Sequence, residues 1–364
     1  MIQKVNHFQK SENLSDKRIP LCRHFRLFMI GLLIWLNPMA QSSKVAPSTS
    51  PEMDAFLSAN QKLFGNDVIA LAYKNGKVVY KKEIEKEIGD FNGRVQVPAG
   101  VASQWLVAAT VMAYVDEGKI SLDDKVSKYI PIFAKYMKTY ITIRNCLSFT
   151  TGIHADPPGP LKLLEKSKYP DLETEVNAFA SKRDIESNPG TEIFFSPIGP
   201  DIAARVLEVV TKKTFDRCVS DKILRPCKMR GTSFTNENGL VTNAASGAIT
   251  TASDYINFLG MLLEKGMFEG KRVLSEKSIA DMETIQFPVL PVKYMPKEAS
   301  GLKLGLGCWI ESGNLVTSLN MTGFYPYIDR RLNYAALLVP KKTDEPKKEL
   351  YVQFKQKMDA AFGH

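Results

Sequence analysis

The β-type runs of this chain sit at the two ends of its globular part, and that placement restricts the fold more than any other feature. At one end, Val68 to Tyr73 and Lys77 to Lys82 flank Lys74-Asn75-Gly76, and Asn-Gly between two such runs is a strong hairpin signal because the tight turn needs positive φ. At the other end, Gly305 to Ile310, Leu315 to Leu319 and Leu332 to Leu338 repeat the β-type pattern. Between the two ends the apolar spacing is helical, at Ser103 to Glu117 with Gly118 placed to stop the helix, and at Ile202 to Val210, Phe215 to Ile223 and Ala252 to Lys265. Amphipathic helices are expected at Glu52 to Phe64 and Lys347 to Phe362. The expected fold is therefore α+β. One antiparallel five-stranded sheet is built from both chain ends and flanked by N- and C-terminal helices, with a mostly helical insert at its edge.

Ahead of this domain, Leu27 to Leu36 form an apolar run of ten residues, preceded by basic residues and followed by Pro38-Met39-Ala40. The pattern reads as a secretory signal peptide over residues 1–40. Ten residues are too few to span a bilayer, which needs about 20 in a helix. Export to the periplasm or the medium is the expectation, with tethering through an uncleaved signal segment as the alternative. A Ser/Pro/Thr-rich linker follows at 41–51, and the domain proper is 52–364, with an α/β part at 52–100 and 290–364 and a helical part at 101–289. The Pro-rich stretch Phe287 to Pro296 reads as a surface loop.

Composition excludes several function classes. The chain of 364 residues carries a formal charge of +9, of which +5 remains outside residues 1–40; that mild bias is not a nucleic-acid footprint. Only four histidines exist, His7, His24, His154 and His364, so a histidine-rich metal site is not expected and a Ser-His-Asp triad has only His154 to draw on. Outside the extension, which holds Cys22, the cysteines are Cys146, Cys218, Cys227 and Cys308; Cys146, Cys227 and Cys308 lie in apolar or packed contexts, and buried free thiols are expected rather than a disulfide framework.

The run VASQWLVAATVMAYVDEGKISLDDKVSKYIP (101–131), followed by ITIRNCLSFTTGI (141–153), resembles the serine β-lactamase and penicillin-binding-protein-like superfamily, in its branch of class C β-lactamases, D-alanyl-D-alanine carboxypeptidases and esterases. NPGTEIFFSPIG (188–199), RPCKMRGTSF (225–234), ASGAITTASDYINFLGMLLEKG (245–266), LGLGCWI (304–310) and NMTGFYPYIDRR (320–331) continue the resemblance in family order. It implies the sheet-plus-helical-insert fold, acyl transfer through a serine with no metal or organic cofactor, and a small-molecule, ester or peptidoglycan-like ligand. Its motifs imply where the chemistry would sit. The family's S-x-x-K, whose lysine shares a helix face with the serine and activates it, aligns with Ser103 and Leu106. Its Y-x-N aligns with Phe195 and Pro197 after Pro189-Gly190-Thr191, and its K/H-T-G with Met321, Thr322 and Gly323. Phe324 follows where the family strand supplies an oxyanion-hole N–H.

Each substitution removes a polar or ionisable group, and a serine without a base is a poor nucleophile near neutral pH. The expectation is an exported pseudoenzyme in which Ser103 is a vestigial nucleophile. Two readings stand beside it. One is an active serine hydrolase, an esterase, D,D-peptidase or β-lactamase acylated at Ser103, that recruits a base from outside the family pattern such as His154 or a nearby lysine. The other is a structural or interaction protein whose pocket is filled by Phe195, Met321 and Phe324. Ser103 also reads as a helix N-cap, His154 as a solvated loop residue, and Ser300-Gly301-Leu302-Lys303, the literal S-x-x-K, as chance because it opens no helix.

Overall fold

The β-type runs Val68–Lys74 (β1) and Lys77–Ile84 (β2) form the expected hairpin, with Asn75 and Gly76 both at positive φ in the turn. The computed structural model describes residues 49–156, 167–236, 238–311, 315–318, 321, 323–341 and 348–363. The apolar run Leu27 to Leu36, Cys22, His7, His24, His364 and Thr322 lie outside the described residues. All described residues belong to one unit, Ala46–His364.

The sheet has seven strands rather than five, in the order β2-β1-β13-β12-β11-β10-β9, and every pairing within it is antiparallel. Its C-terminal strands are β9 (Lys303–Leu304), β10 (Trp309–Glu311), β11 (Leu315–Thr317), β12 (Tyr325–Asp329) and β13 (Tyr334–Pro340). The strands missing from the sequence reading are the two-residue β9 and the central β12. Pro326 lacks an N–H and argues against a central strand, yet here it pairs with Leu337 of β13, and its carbonyl accepts the Thr317 hydroxyl at 2.8 Å. Outside the main sheet, β3 (Gln96–Pro98) pairs with β5 (Ile249–Thr251), β4 (Ile193–Phe194) with β8 (Val292–Tyr294) and β6 (Met267–Phe268) with β7 (Lys271–Arg272).

Two cores lie on the two faces of this sheet, as a two-residue side-chain period requires. From β1, Ile69, Leu71 and Tyr73 face the larger core, while Val68, Ala70 and Ala72 face the smaller; β13 divides Ala335, Leu337 and Val339 from Tyr334, Ala336 and Leu338 in the same way. The terminal helices α1 (Pro51–Ala59) and α10 (Lys348–Phe362) cover the smaller core with Met53, Phe56, Leu57, Leu350, Tyr351, Phe354 and Met358. The expected first helix is thus shorter than its pattern: it stops at Asn60, and Gln61–Phe64 is a 3₁₀ turn.

The larger core is covered by the helical insert, α2 (Ser103–Asp116), α3 (Ile132–Lys135), α4 (Ile143–Leu147), α5 (Leu172–Lys182), α6 (Ile198–Thr211), α7 (Phe215–Val219), α8 (Ala252–Leu263) and α9 (Glu276–Met282). Helix α8 lies directly on β13 and β1, close enough that a Cβ at Gly260 would come 2.6 Å from the Tyr73 ring. Gly118, at φ 67°, ends the turn after α2 as its position in the sequence predicts. Cys146, Cys218, Cys227 and Cys308 are buried free thiols.

Candidate active site

Helix α2 is apolar on all sides because it runs through the middle of the larger core. It follows a 3₁₀ turn at Gly100–Ala102, and the residue flanking it is Ala102 in helical conformation, so Ser103 is not an N-cap. Its Oγ, fully buried, accepts the Ala248 N–H at 3.1 Å. Ala102 is fixed beside it by the Tyr255 hydroxyl, which donates to the Ala102 carbonyl at 2.9 Å. The start of α2 is therefore pinned to the segment that leads into β5 and to α8.

Residues two apart on a helix point about 200° from each other, whereas residues three apart differ by about 60°. Ser103 and Val101 thus face opposite ways, and the structure separates the motif residues accordingly. Val101 joins a distinct cluster with Phe149, Ile193, Phe195, Ala299, Leu304, Trp309 and Met321. Leu106 belongs to the larger core, and so does Phe324, whose ring meets Tyr255 edge-on at 4.9 Å. Gly323 is buried, its carbonyl accepting the Tyr351 hydroxyl at 3.5 Å, and Pro197 precedes α6 half-buried.

The cluster that holds Phe195 and Met321 is packed. Phe195 is fully buried, 4.9 Å from the Phe149 ring and 5.8 Å from Trp309, and Phe149 stacks on Trp309 at 6.2 Å. The backbone fixes the Phe195 segment from both sides: the Phe194 N–H donates to the Phe149 carbonyl at 2.9 Å, and the Phe195 N–H donates to the Tyr294 carbonyl at 3.1 Å. The Pro-rich stretch is thus more than a surface loop, because Leu290, Tyr294 and Met295 pack against the cluster. Two open clefts of about 410 Å³ each occur elsewhere, one lined by Asp116, Lys222 and Arg272 and the other by Arg225, Lys228 and Arg230.

Gln104 shares the Val101 face by the three-residue rule. It is buried, and its Nε2 has no hydrogen-bond partner among the described residues, as is also true of Trp105 Nε1. Gly307, at φ 66°, lets the turn between β9 and β10 approach α2 here, since a Cβ would come 2.5 Å from the Gln104 carbonyl oxygen. Val101, Gln104, Phe149 and Trp309 were missed in the sequence. The face relation of Val101 and Gln104 was available there, but nothing local said which face of the helix meets Phe195.

A base for Ser103 would have to accept its proton within hydrogen-bond reach. Among the described residues the hydrogen bond at Ser103 Oγ is one it accepts, from a backbone N–H. His154 is half-exposed and engaged elsewhere, its Nδ1 2.7 Å from Glu186 Oε1. Lys293 and then His154 hold the Glu186 carboxyl below its ordinary pKa. Ser300 closes the 3₁₀ turn Lys297–Ala299 and Lys303 lies on β9, so the literal S-x-x-K opens no helix.

Residues 66–351 match the family model described as Beta-lactamase. A candidate D-alanyl-D-alanine carboxypeptidase of Escherichia coli K12 is 24% identical over 237 residues, 57% of this chain and 55% of that protein. Protein flp of Staphylococcus aureus MW2 is 26% identical over 179 residues, 46% of this chain and 34% of that one. The matches therefore span about half and about a third of these two relatives. Among solved structures, a candidate beta-lactamase from Bacteroides dorei DSM 17855 superposes with a TM-score of 0.73 at 25% identity, covering 85% of this chain and 97% of that one.

Proposed function

The chain belongs to the beta-lactamase family, and from that premise we propose that it is a catalytically silent member that acts through a partner, the reading in which Phe195 and Met321 fill the pocket while Phe324 packs in the larger core. The observation that carries this reading is the packed cluster of Val101, Phe149, Phe195, Trp309 and Met321. Two of its members stand where the family motifs hold the tyrosine and the lysine or histidine. Moving the S-x-x-K spacing two residues toward the N-terminus sets it on Val101 and Gln104, the pair whose face meets that cluster. In that register valine replaces the nucleophile and glutamine the cation. Loss of a general base alone lowers rates by about 10²- to 10⁴-fold, and without the nucleophile no acyl-enzyme forms.

The same reading holds in the Ser103 register, where Leu106 stands in place of the lysine and the partner at the Ser103 hydroxyl is a donor, the Ala248 N–H, and not a base. Export is part of the proposal and rests on the apolar run Leu27 to Leu36 with its basic flank. None of the helices among the described residues is long and apolar enough to cross a membrane.

Turnover of a chromogenic ester and a chromogenic cephalosporin tests the proposal, with Ser103→Ala as control. The expected result is hydrolysis at the buffer rate and no difference between the two proteins. Turnover that disappears in Ser103→Ala would support the active-hydrolase reading instead.

A further inference from the structure

Residues 125–142, KVSKYIPIFAKYMKTYIT, hold four lysines and three tyrosines in eighteen residues and no Asp or Glu. The segment leaves the body of the protein and returns to it at one point. Lys125 bridges Thr142, and the Val126 N–H donates to the Ile141 carbonyl at 2.9 Å. Val126, Ile130, Phe133 and Ile141 are buried and anchor it to the core. Lys138 Nζ ties its far side to α5 through the Ala180 carbonyl at 2.8 Å. The excursion is therefore held in place at several points along its length.

Its tip exposes what its base buries. Met137 is 87% exposed and Tyr140 73% exposed, with Tyr136 at 38%. Met137 has φ 61°, a conformation that an L-residue adopts at a cost and that the surrounding hydrogen bonds enforce. The lysines stay with the tyrosines: Lys135 Nζ is 5.8 Å from the Tyr136 ring centroid, and Lys125 Nζ is 5.1 Å from that of Tyr140. Neither Lys125 nor Lys135 has a carboxylate partner among the described residues, whereas the nearby acids are engaged, Asp123 by Arg144 and Asp124 by Lys128 and Tyr129.

We propose that this tip docks on an anionic lipid bilayer, with Met137 and Tyr140 entering the headgroup region and Lys125 and Lys135 against the lipid phosphates. Each part of the arrangement suits that surface. Tyrosine sits well at an interface that is apolar on one side and wet on the other. Lysine stems extend along apolar surface while their ammonium groups stay at the phosphates. A soluble acidic partner would be served by the lysines alone and would leave the thioether and the rings exposed. The proposal does not depend on whether the packed cluster turns anything over.

Protection of Met137 from peroxide oxidation tests it in the full chain, read by peptide mass spectrometry with vesicles of phosphatidylcholine alone or mixed with phosphatidylglycerol. The N-terminal apolar run is common to every variant, and the readout is local to the tip. The expected result is that phosphatidylglycerol vesicles slow oxidation several-fold, that phosphatidylcholine vesicles do not, and that salt reverses the effect. Lys125→Glu with Lys135→Glu is expected to raise the phosphatidylglycerol vesicle concentration needed for half-maximal protection by at least about tenfold. Ile88→Ser, at an exposed apolar position elsewhere, should keep it. An oxidation rate indifferent to phosphatidylglycerol would overturn the proposal, as would protection that survives the double charge reversal. Protection by soluble dextran sulfate but not by vesicles would also overturn it, in favour of an acidic polymer.

Discussion

Truncating Phe195 to alanine gives a measurable answer about what fills the family pocket. The ring is fully buried and within aromatic contact of Phe149 at 4.9 Å and Trp309 at 5.8 Å. Phe→Ala at a packed core position costs about 3–5 kcal/mol, and an aromatic pair adds about 0.5–1.5 kcal/mol beyond buried area. The position cannot collapse easily, because the backbone on both sides of the ring is hydrogen-bonded to Phe149 and Tyr294. A loss of about 4–5 kcal/mol is therefore expected. Equilibrium urea unfolding followed by circular dichroism measures it, with a check that the slope is unchanged so that the midpoint reports stability. The vacated space would be dry and lined by Val101, Phe149, Trp309 and Met321, so benzene or indole should raise the midpoint of the variant and leave the parent unaffected. A loss below about 1.5 kcal/mol, with no response to an apolar ligand, would mean that the ring borders an open site, and the reasoning from the cluster would fail.

Three further outcomes follow from the same geometry. Leu106→Lys, the change that the Ser103 register calls for, should destabilise by several kcal/mol in the same unfolding assay because it buries an unpaired ammonium in the larger core; a neutral result would bring that register back. Gly307→Ala should cost about 2 kcal/mol or more, since φ is 66° and the new methyl meets the Gln104 carbonyl oxygen. The third outcome concerns pH. Burial raises the Glu175 carboxyl to about 7, and burial together with the Glu175 charge raises that of Asp201, which also accepts the Ala244 and Ala245 N–H groups. A carboxyl raised in the fold binds protons that the unfolded chain has released. Its contribution is therefore complete below the unfolded pKa of about 4 and is lost as the pH rises through about 7. Thermal midpoints should fall over that window, and Glu175→Gln should flatten the slope; an unchanged slope in the variant would refute the assignment.

How much of this was legible in the sequence depends on whether the signal was local. The hairpin at Asn75-Gly76, the stop at Gly118 and the return of β-type runs after residue 300 are local patterns, and all three appear in the structure. Strand β12 escaped because Pro326 argues against a central strand when read alone; the strand exists because β11 and β13 supply its pairings. The contrast between Ser103 and Val101 was hidden for a related reason. Val101 lies in the 3₁₀ turn and Ser103 opens the helix that follows it, a helix that is apolar on every side, so periodicity cannot say which face meets Phe195 and Met321. That choice is made by contacts distant in sequence, Ala248 on one side and the turn at Gly307 on the other.

The central claim is that the site holds no competent nucleophile, and intact-mass spectrometry of the chain after incubation with a fluorophosphonate and, separately, with a penicillin addresses it directly. The account predicts an unmodified mass with both probes in a protein that unfolds cooperatively. An adduct that maps to Ser103 and is lost in Ser103→Ala would contradict it, because the hydroxyl held by the Ala248 N–H would then be an activated nucleophile after all.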